Sequence, residues 1–374
     1  MAMWACDAAQ SFLPQALALA VLALIAVMPE YAVDMYSTWQ AGQDPDSSYA
    51  HYAIANMTGA NRLIIGLAWV LIVVIVFLKN RKALTLTPNN RLEISYLGLA
   101  TVYAFFIPIK GTLEWYDAIV LVGIYIAYLR LAAKQPRAEI ELENGPPASI
   151  TKLPMLPRVL VTILMFAFAG LVILFNIEPF SESLVATGRI FDINEFLLVQ
   201  WLAPIASELP EFTVAVMFAM RGLSGVAMQS LLSAKLNQWT LLMGTIPIVF
   251  SISSGSIKKH LPMDSLQLHE ILLTAAQSLL AVAFLCRLRL SIIPGIILFI
   301  LFAGQLTAPV WVEQTPYLAS RSITSDDIHV YFSFVYLVLA AIYLIRHRQT
   351  IPPLLKALHR PQKTATPPTA APLP

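Results

Sequence analysis

Charge is what this sequence has least of. Only 12% of its 374 residues are Asp, Glu, Lys or Arg, while 58% are hydrophobic; a soluble globular chain carries about 25% charged residues. The charges it does have cluster between long apolar runs instead of alternating with them, as in a chain solvated by lipid. A soluble fold is excluded for nearly the whole length. Cysteine is nearly absent: Cys6 and Cys286 lie in or beside apolar runs, which rules out a disulfide framework and a cysteine metal spacing. No stretch is basic enough to suggest nucleic acid, and the net charge is only +2. No nucleotide-binding glycine loop, zinc spacing or nucleophile elbow stands out, so the chain does not read as an enzyme and no cofactor is expected. A signal peptide is not expected either: only Asp7, and no Lys or Arg, precedes the apolar run from Phe12.

What the sequence has in place of charge is apolar segments of membrane-spanning length. Ten are expected: 12–39, 51–78, 94–109, 115–133, 159–177, 196–220, 226–251, 271–286, 290–305 and 330–344. With the N-terminus inside, seventeen Lys and Arg fall in cytoplasmic segments and five in outer loops. That asymmetry supports both the count and a plasma-membrane orientation with both termini cytoplasmic, although the outer pair Lys258–Lys259 dissents. Five regions are expected. Residues 1–133 form a first half and 134–157 a polar, proline-bearing cytoplasmic linker; 158–306 form a second half. An outer loop and an extra transmembrane helix occupy 307–348, and a disordered cytoplasmic tail 349–374. The lipid bilayer and small inorganic cations are the expected partners.

Two spans carry an unusual feature. The first contains Met28-Pro29-Glu30 and the sixth Glu208-Leu209-Pro210-Glu211, so each sets a carboxylate directly after a proline deep in an apolar helix. Pro29 and Pro210 each remove a backbone donor and are expected to break their helices. An ionisable group at that depth is costly unless it is paired or faces a watery cavity, and it is a functional candidate by default. The following spans have polar interruptions, Asn56-Met57-Thr58-Gly59-Ala60-Asn61-Arg62 and Ser233-Ala234-Lys235-Leu236-Asn237. The copies lie five spans apart and therefore run in opposite directions. That is the mark of an inverted repeat with its site at the midplane. The fold class expected is an all-α polytopic membrane protein of about ten helices in two such repeats.

These motifs resemble the α-repeats of the sodium/calcium exchanger (cation/Ca2+ antiporter) superfamily. Ala206-Ser207-Glu208-Leu209-Pro210-Glu211 is similar to that family's Gly-Thr-Ser-Leu-Pro-Glu, and Gly59-Ala60-Asn61 to its Gly-Ser-Asn. The chain looks like a divergent member, resembling bacterial sodium:proton exchangers. The resemblance implies alternating access and exchange of Na+, Ca2+ or H+ around Glu30 and Glu211, with Glu208, Ser207, Asn61, Asn237 and Thr240 as further candidates. It also implies a helix ahead of the first motif, for which only eleven residues are present, so the first half is expected to lack one helix.

Departures from the family pattern bear on the ion. Val27, Ala60, Leu236 and Ile64 stand where small oxygen ligands are expected, while Arg62 and Lys235 have appeared nearby. If both reach the cavity as tethered cations, three carboxylates against two positive charges leave one net negative charge. That favours Na+/H+ exchange over Ca2+, which needs six to eight oxygens. Blander roles stand beside these. Glu30 and Glu211 can satisfy freed backbone groups at the breaks, and Glu208 can be structural. Asn61 and Asn237 can be interhelical hydrogen-bond glue, and Arg62 and Lys235 can snorkel. Asp34 reads as vestibule or interface, while His51, His260, His269 and His329 read as solvated loop edges. A transport-inactive protein on the exchanger scaffold is the reading from another class.

Overall fold

The computed structural model describes residues 2–135, 145–190, 203–314 and 325–359. Among them the chain is almost wholly helical; the strands are the two-residue pieces β1 (Leu84–Thr85) and β2 (Arg289–Leu290), paired antiparallel.

Each expected Pro-Glu break is present. The first span divides into α1's successor α2 (Gln15–Ala26) and α3 (Met28–Gln43), bent by 50°; α1 itself is Ala2–Ala9. Pro29 lies in the first turn of α3, where its missing N–H cannot continue the hydrogen-bond ladder of α2. Val27 is the joint residue, and Glu208 is its counterpart between α11 (Ala203–Ser207) and α12 (Leu209–Met220). In both copies the proline therefore starts a new half-helix, and its glutamate sits in that half-helix's first turn.

The helix after each break is continuous but wound differently at one place. Residues 49–80 form α4 (Tyr49–Leu63), a π turn (Ile64–Ala68) and α5 (Trp69–Asn80). Residues 224–253 repeat this as α13 (Ser224–Asn237), a π turn (Gln238–Leu242) and α14 (Met243–Ser253). Each π turn begins within three residues of the expected polar interruption, after Asn61 in one copy and Asn237 in the other. A π turn inserts an extra residue and redirects the side chains beside it, which is why such turns occur at functional positions.

Around this core lie α6 (Arg91–Ala104), α7 (Phe106–Lys110), α8 (Trp115–Ala132), α9 (Pro146–Thr151) and α10 (Met155–Ile190). Beyond α14 come α15 (Ser265–Leu285), α16 (Ile292–Gln314), α17 (Ser325–Arg346) and α18 (Ile351–Ala357). Among the described residues, six helices are long and apolar enough to cross a membrane, seven with the bent α2–α3 pair. The broken α11–α12, the continuous 224–253 helix and the apolar part of α16 complete the ten spans. The repeats interlock: α2 packs on α13 and α4 on α11, and likewise α3 packs on α14 and α12 on α5. The outward side of α10 presents Leu156, Ile163, Leu164, Phe168 and Phe175, an apolar face suited to lipid.

Several boundaries differ from expectation. A short helix, α1, precedes the first broken span and packs on α10, the helix ahead of the second. Within the expected linker, Pro146–Thr151 is helical and buries Pro147, Ala148 and Ile150; residues 136–144 lie outside the described residues. The expected tail is helical over Ile351–Ala357. Burial of Leu354 and Ala357 orders it, and Ser95 and Tyr96 of α6 donate to the carbonyls of Leu354 and Leu358 at 2.8 and 3.3 Å. Residues 360–374 and the outer-loop residues 315–324, Arg321 included, lie outside the described residues.

Close approach of α5 and α16 depends on one glycine. A Cβ at Gly66 would fall 2.1 Å from Phe302 Cγ, far inside van der Waals contact. Gly66→Ala should therefore cost about 1–3 kcal/mol through overpacking. The expected readout is a lower melting temperature in detergent. An unchanged melting temperature would contradict the packing.

Candidate functional site

The two half-helices that start at the prolines point their first turns at each other. One carboxylate oxygen from each of Glu30, Glu208 and Glu211 lies within 4.8 Å of the others, and all three side chains are buried. Glu30 and Glu211 occupy the first turns of α3 and α12, where exposed backbone N–H groups and the helix dipole favour negative charge. Glu208 joins them because it is the joint residue itself. Its Oε1 accepts a 2.5 Å hydrogen bond from Gln238 Nε2, on the π turn of the facing span. Both oxygens of Glu30, both of Glu211 and Oε2 of Glu208 have no hydrogen-bond partner among the described residues. Buried polar atoms are normally satisfied, so five orphan oxygens in one place are a strong departure. Three carboxylates so close and so deep cannot all stay ionised without something positive between them.

Lys235 supplies one such charge. It is fully buried on α13, within electrostatic reach of Glu208, and lies over the Trp239 ring with 4.6 Å to its centroid. Its ammonium donates to Asn61 at both Oδ1 (2.7 Å) and the main-chain carbonyl (3.2 Å). The two polar interruptions therefore meet each other, and Lys235 does not snorkel to the membrane surface.

Arg62 goes elsewhere. Consecutive helical residues project about 100° apart, so Asn61 faces Lys235 while Arg62 turns toward α15. There its Nη2 lies 3.5 Å from Glu270 Oε1, with both side chains buried. Arg62 Nε donates to the Thr58 carbonyl at 3.3 Å, and the Thr58 hydroxyl to Glu270 Oε2 at the same distance. The charge balance expected from the sequence is thereby corrected. Arg62 is matched by Glu270 and does not offset the triad, so three carboxylates stand against one ammonium.

The other expected residues are placed as follows. Asn61 donates to the Met57 carbonyl at 2.8 Å besides receiving Lys235. Asn237 accepts from the Tyr31 hydroxyl (2.8 Å) and donates to that of Tyr125 (3.2 Å). Thr240 donates to the Leu236 carbonyl in its own helix at 2.5 Å. Ser207, one residue before the joint, is buried and donates to the Pro204 carbonyl at 3.3 Å. Asp34 is buried one turn after Glu30 and accepts from Asn56 Nδ2 at 2.7 Å, so it is no open vestibule group. His329, expected at a solvated loop edge, is buried in α17.

Sequence reasoning missed Glu93 and Glu270. The expected third and eighth spans begin at Ile94 and Ile271, leaving each glutamate one residue outside, whereas both are buried inside α6 and α15. Their spacing was the available signal. They lie 177 residues apart, nearly the 176 that separate Asn61 from Asn237, and each stands near the start of the span that follows its copy's π-containing helix.

Comparison with known proteins shows the family. The family described as sodium/calcium exchanger protein matches residues 3–134 and 161–311. The chain belongs to that family. Among solved structures it is similar to the H+/Ca2+ exchanger CAX, at 42% identity over 95% of this chain and 86% of the other, with a TM-score of 0.82. It shares its fold with a sodium-calcium exchanger, NCX_Mj, at 22% identity over 82% of this chain and 93% of the other, TM-score 0.58. An uncharacterized membrane protein of Methanocaldococcus jannaschii is 25% identical over 170 residues, 46% of this chain. That match spans half the length of the curated relative.

Removing one partner of a buried ion pair strands the other charge, at a cost of about 3–5 kcal/mol. Arg62→Gln should therefore destabilise the protein strongly in detergent melting experiments, and Arg62→Gln/Glu270→Gln should recover most of the loss. Equal stability of the two variants would show that the pair is not coupled.

Proposed function

We propose that the chain is a secondary cation antiporter that exchanges Ca2+ for protons by alternating access, with the Glu30–Glu208–Glu211 triad as its ion site. The observation that carries this reading is the buried triad itself: one oxygen of each carboxylate lies within 4.8 Å of the others, and five of the six oxygens are unpartnered among the described residues. Ca2+ takes six to eight oxygens at 2.3–2.6 Å, from carboxylates used singly or in pairs, carbonyls and water. Three carboxylates used singly or in pairs supply three to six of that shell without Asn61, Asn237 or Thr240. With Arg62 matched by Glu270, the ionised triad and Lys235 leave two net negative charges, which a divalent ion balances. The similarity to an H+/Ca2+ exchanger supports the same reading.

Proton coupling follows from burial. The triad is stable when it holds either a cation or enough protons to remove the repulsion, so arrival of one expels the other. The breaks at Val27 and Glu208 let half-helices tilt independently, and each tilt opens the triad toward one side of the membrane. Lys235 acts as a fixed cation that limits how many mobile charges the site takes. We place the protein in the plasma membrane with both termini cytoplasmic, as its basic residues are distributed. Na+/H+ exchange, the reading favoured by composition of the motifs, counted Arg62 as a second fixed cation at the site. A transport-inactive scaffold is separated from both readings by the assay itself.

In proteoliposomes, an imposed Ca2+ gradient should drive counter-movement of protons, and Glu30→Gln or Glu211→Gln should reduce it to background without loss of folded protein. Apparent Ca2+ affinity should fall as pH falls, because protons and Ca2+ compete for the same oxygens. Lys235→Met should raise that affinity by removing the competing positive charge. Proton movement driven by Na+ gradients but not by Ca2+ gradients would restore the Na+/H+ reading. No flux with either ion would leave the inactive scaffold.

A further inference from the structure

Glu93 is a second buried carboxylate that the triad does not use. It lies in the first turn of α6 with its residue wholly inaccessible. Its Oε1 accepts from Gln229 Nε2 of α13 at 2.8 Å, and Gln229 Oε1 in turn accepts from Gln15 Nε2 of α2 at 2.8 Å. Its Oε2 has no hydrogen-bond partner among the described residues. It is not in the triad. Gln229 precedes Lys235 by six residues on one helix, a rise of about 9 Å.

Glu270 makes the contrast sharp. It stands near the start of the corresponding span in the second half and has Arg62 at 3.5 Å as a permanent counter-charge. Glu93 has the neutral amide of Gln229 instead. The titratable and charged groups on elements packed against α6 are Tyr116, Asp117, Tyr125, Tyr128 and Arg130 on α8, Lys235 on α13, His269 and Glu270 on α15, Lys110 on α7 and Lys356 on α18. Of these, Tyr128 is in electrostatic contact with Glu93, and a phenol is neutral over the working range. Arg91, two residues away on α6 itself, is half-buried at the helix start. A wholly buried carboxylate whose hydrogen bond comes from a neutral amide is stable when it carries its own proton.

We propose that Glu93 is a second proton-binding site of this protein, separate from the triad and linked through Gln229 and Gln15 to the first half of the broken helix. The proton sits on Oε2, the oxygen the structure leaves open. When Glu93 loses it, the charge draws harder on the Gln229 amide, and through the amide chain on α2. Proton occupancy at Glu93 thereby biases the position of the half-helix that must move for α3 and Glu30 to change sides. The coupling to transport rests on the antiport reading above; the proton site itself does not.

The test is infrared difference spectroscopy of the purified full chain across a pH step, reading the carboxyl C=O stretching bands of protonated side chains. Glu93→Gln keeps the acceptor for Gln229 and is permanently neutral, so a merely structural Glu93 tolerates it silently. The expected result is loss of one carboxyl band that persists in Glu30→Gln and Glu211→Gln, together with a shifted pH profile of exchange in proteoliposomes. Gln229→Leu, which leaves Glu93 in place, should shift the frequency of that same band. A Glu93→Gln spectrum identical to the unmodified protein overturns the proposal. So does an unshifted band in Gln229→Leu, which remains decisive if Glu93→Gln fails to fold. Absence of flux in the unmodified protein with the band intact removes the antiport reading and leaves the proton site standing.

Discussion

Everything in this molecule is arranged around the cost of placing three carboxylates together away from water. Two prolines make that arrangement possible by ending one half-helix and starting another in the middle of a span. A half-helix beginning inside the protein presents N–H groups that no helical carbonyl accepts, and Glu30 and Glu211 occupy that first turn. The backbone thus offsets part of the cost of the charges that it positions. The remainder is left open, as five unpartnered oxygens, for a mobile cation or protons.

The inverted repeat gives this site its two-sidedness, but the copies are not equal. Glu208 replaces Val27 at the joint, Lys235 stands where the first copy has Gly59, and Arg62 where the second has Gln238. Each difference adds a charge, and the structure pairs them. Lys235 comes to Glu208 and Asn61, whereas Arg62 is directed to Glu270. A buried ion pair joins α4 of the first half to α15 of the second. Glu93 of α6 instead accepts from the Gln229 amide of α13, which in turn accepts from Gln15. Identical halves related by a two-fold rotation in the membrane plane would place equal charges on the two sides of the triad; these halves do not.

Peripheral elements serve the same core. The close contact at Gly66 and Phe302 brings α16 against the first π-containing helix, and α18 folds back on α6 through Ser95 and Tyr96. These contacts hold the helices that flank the breaks. The outward faces of α10 and α17 carry exposed aromatic and aliphatic side chains, as lipid contact requires.

The sequence by itself determined the class of fold and the location of the breaks. Apolar runs of membrane-spanning length, the scarcity of charge and two Pro-Glu pairs in opposed spans are local features whose physical consequences do not depend on the rest of the chain. Glu30 and Glu211 were legible for the same reason: a carboxylate directly after a proline in an apolar helix is conspicuous wherever the helix packs, and Glu208, three residues before Glu211, was a candidate through that neighbour. What only the tertiary structure decided was which charges cancel. Arg62 and Asn61 are neighbours in sequence, yet the turn of the helix sends one to Glu270 and the other to Lys235. Glu93 and Glu270 looked like span boundaries, because hydropathy cannot distinguish a charge at the membrane surface from one buried by a neighbouring helix. Coulomb energy depends on distance through space and on burial, and neither is fixed until the helices have packed.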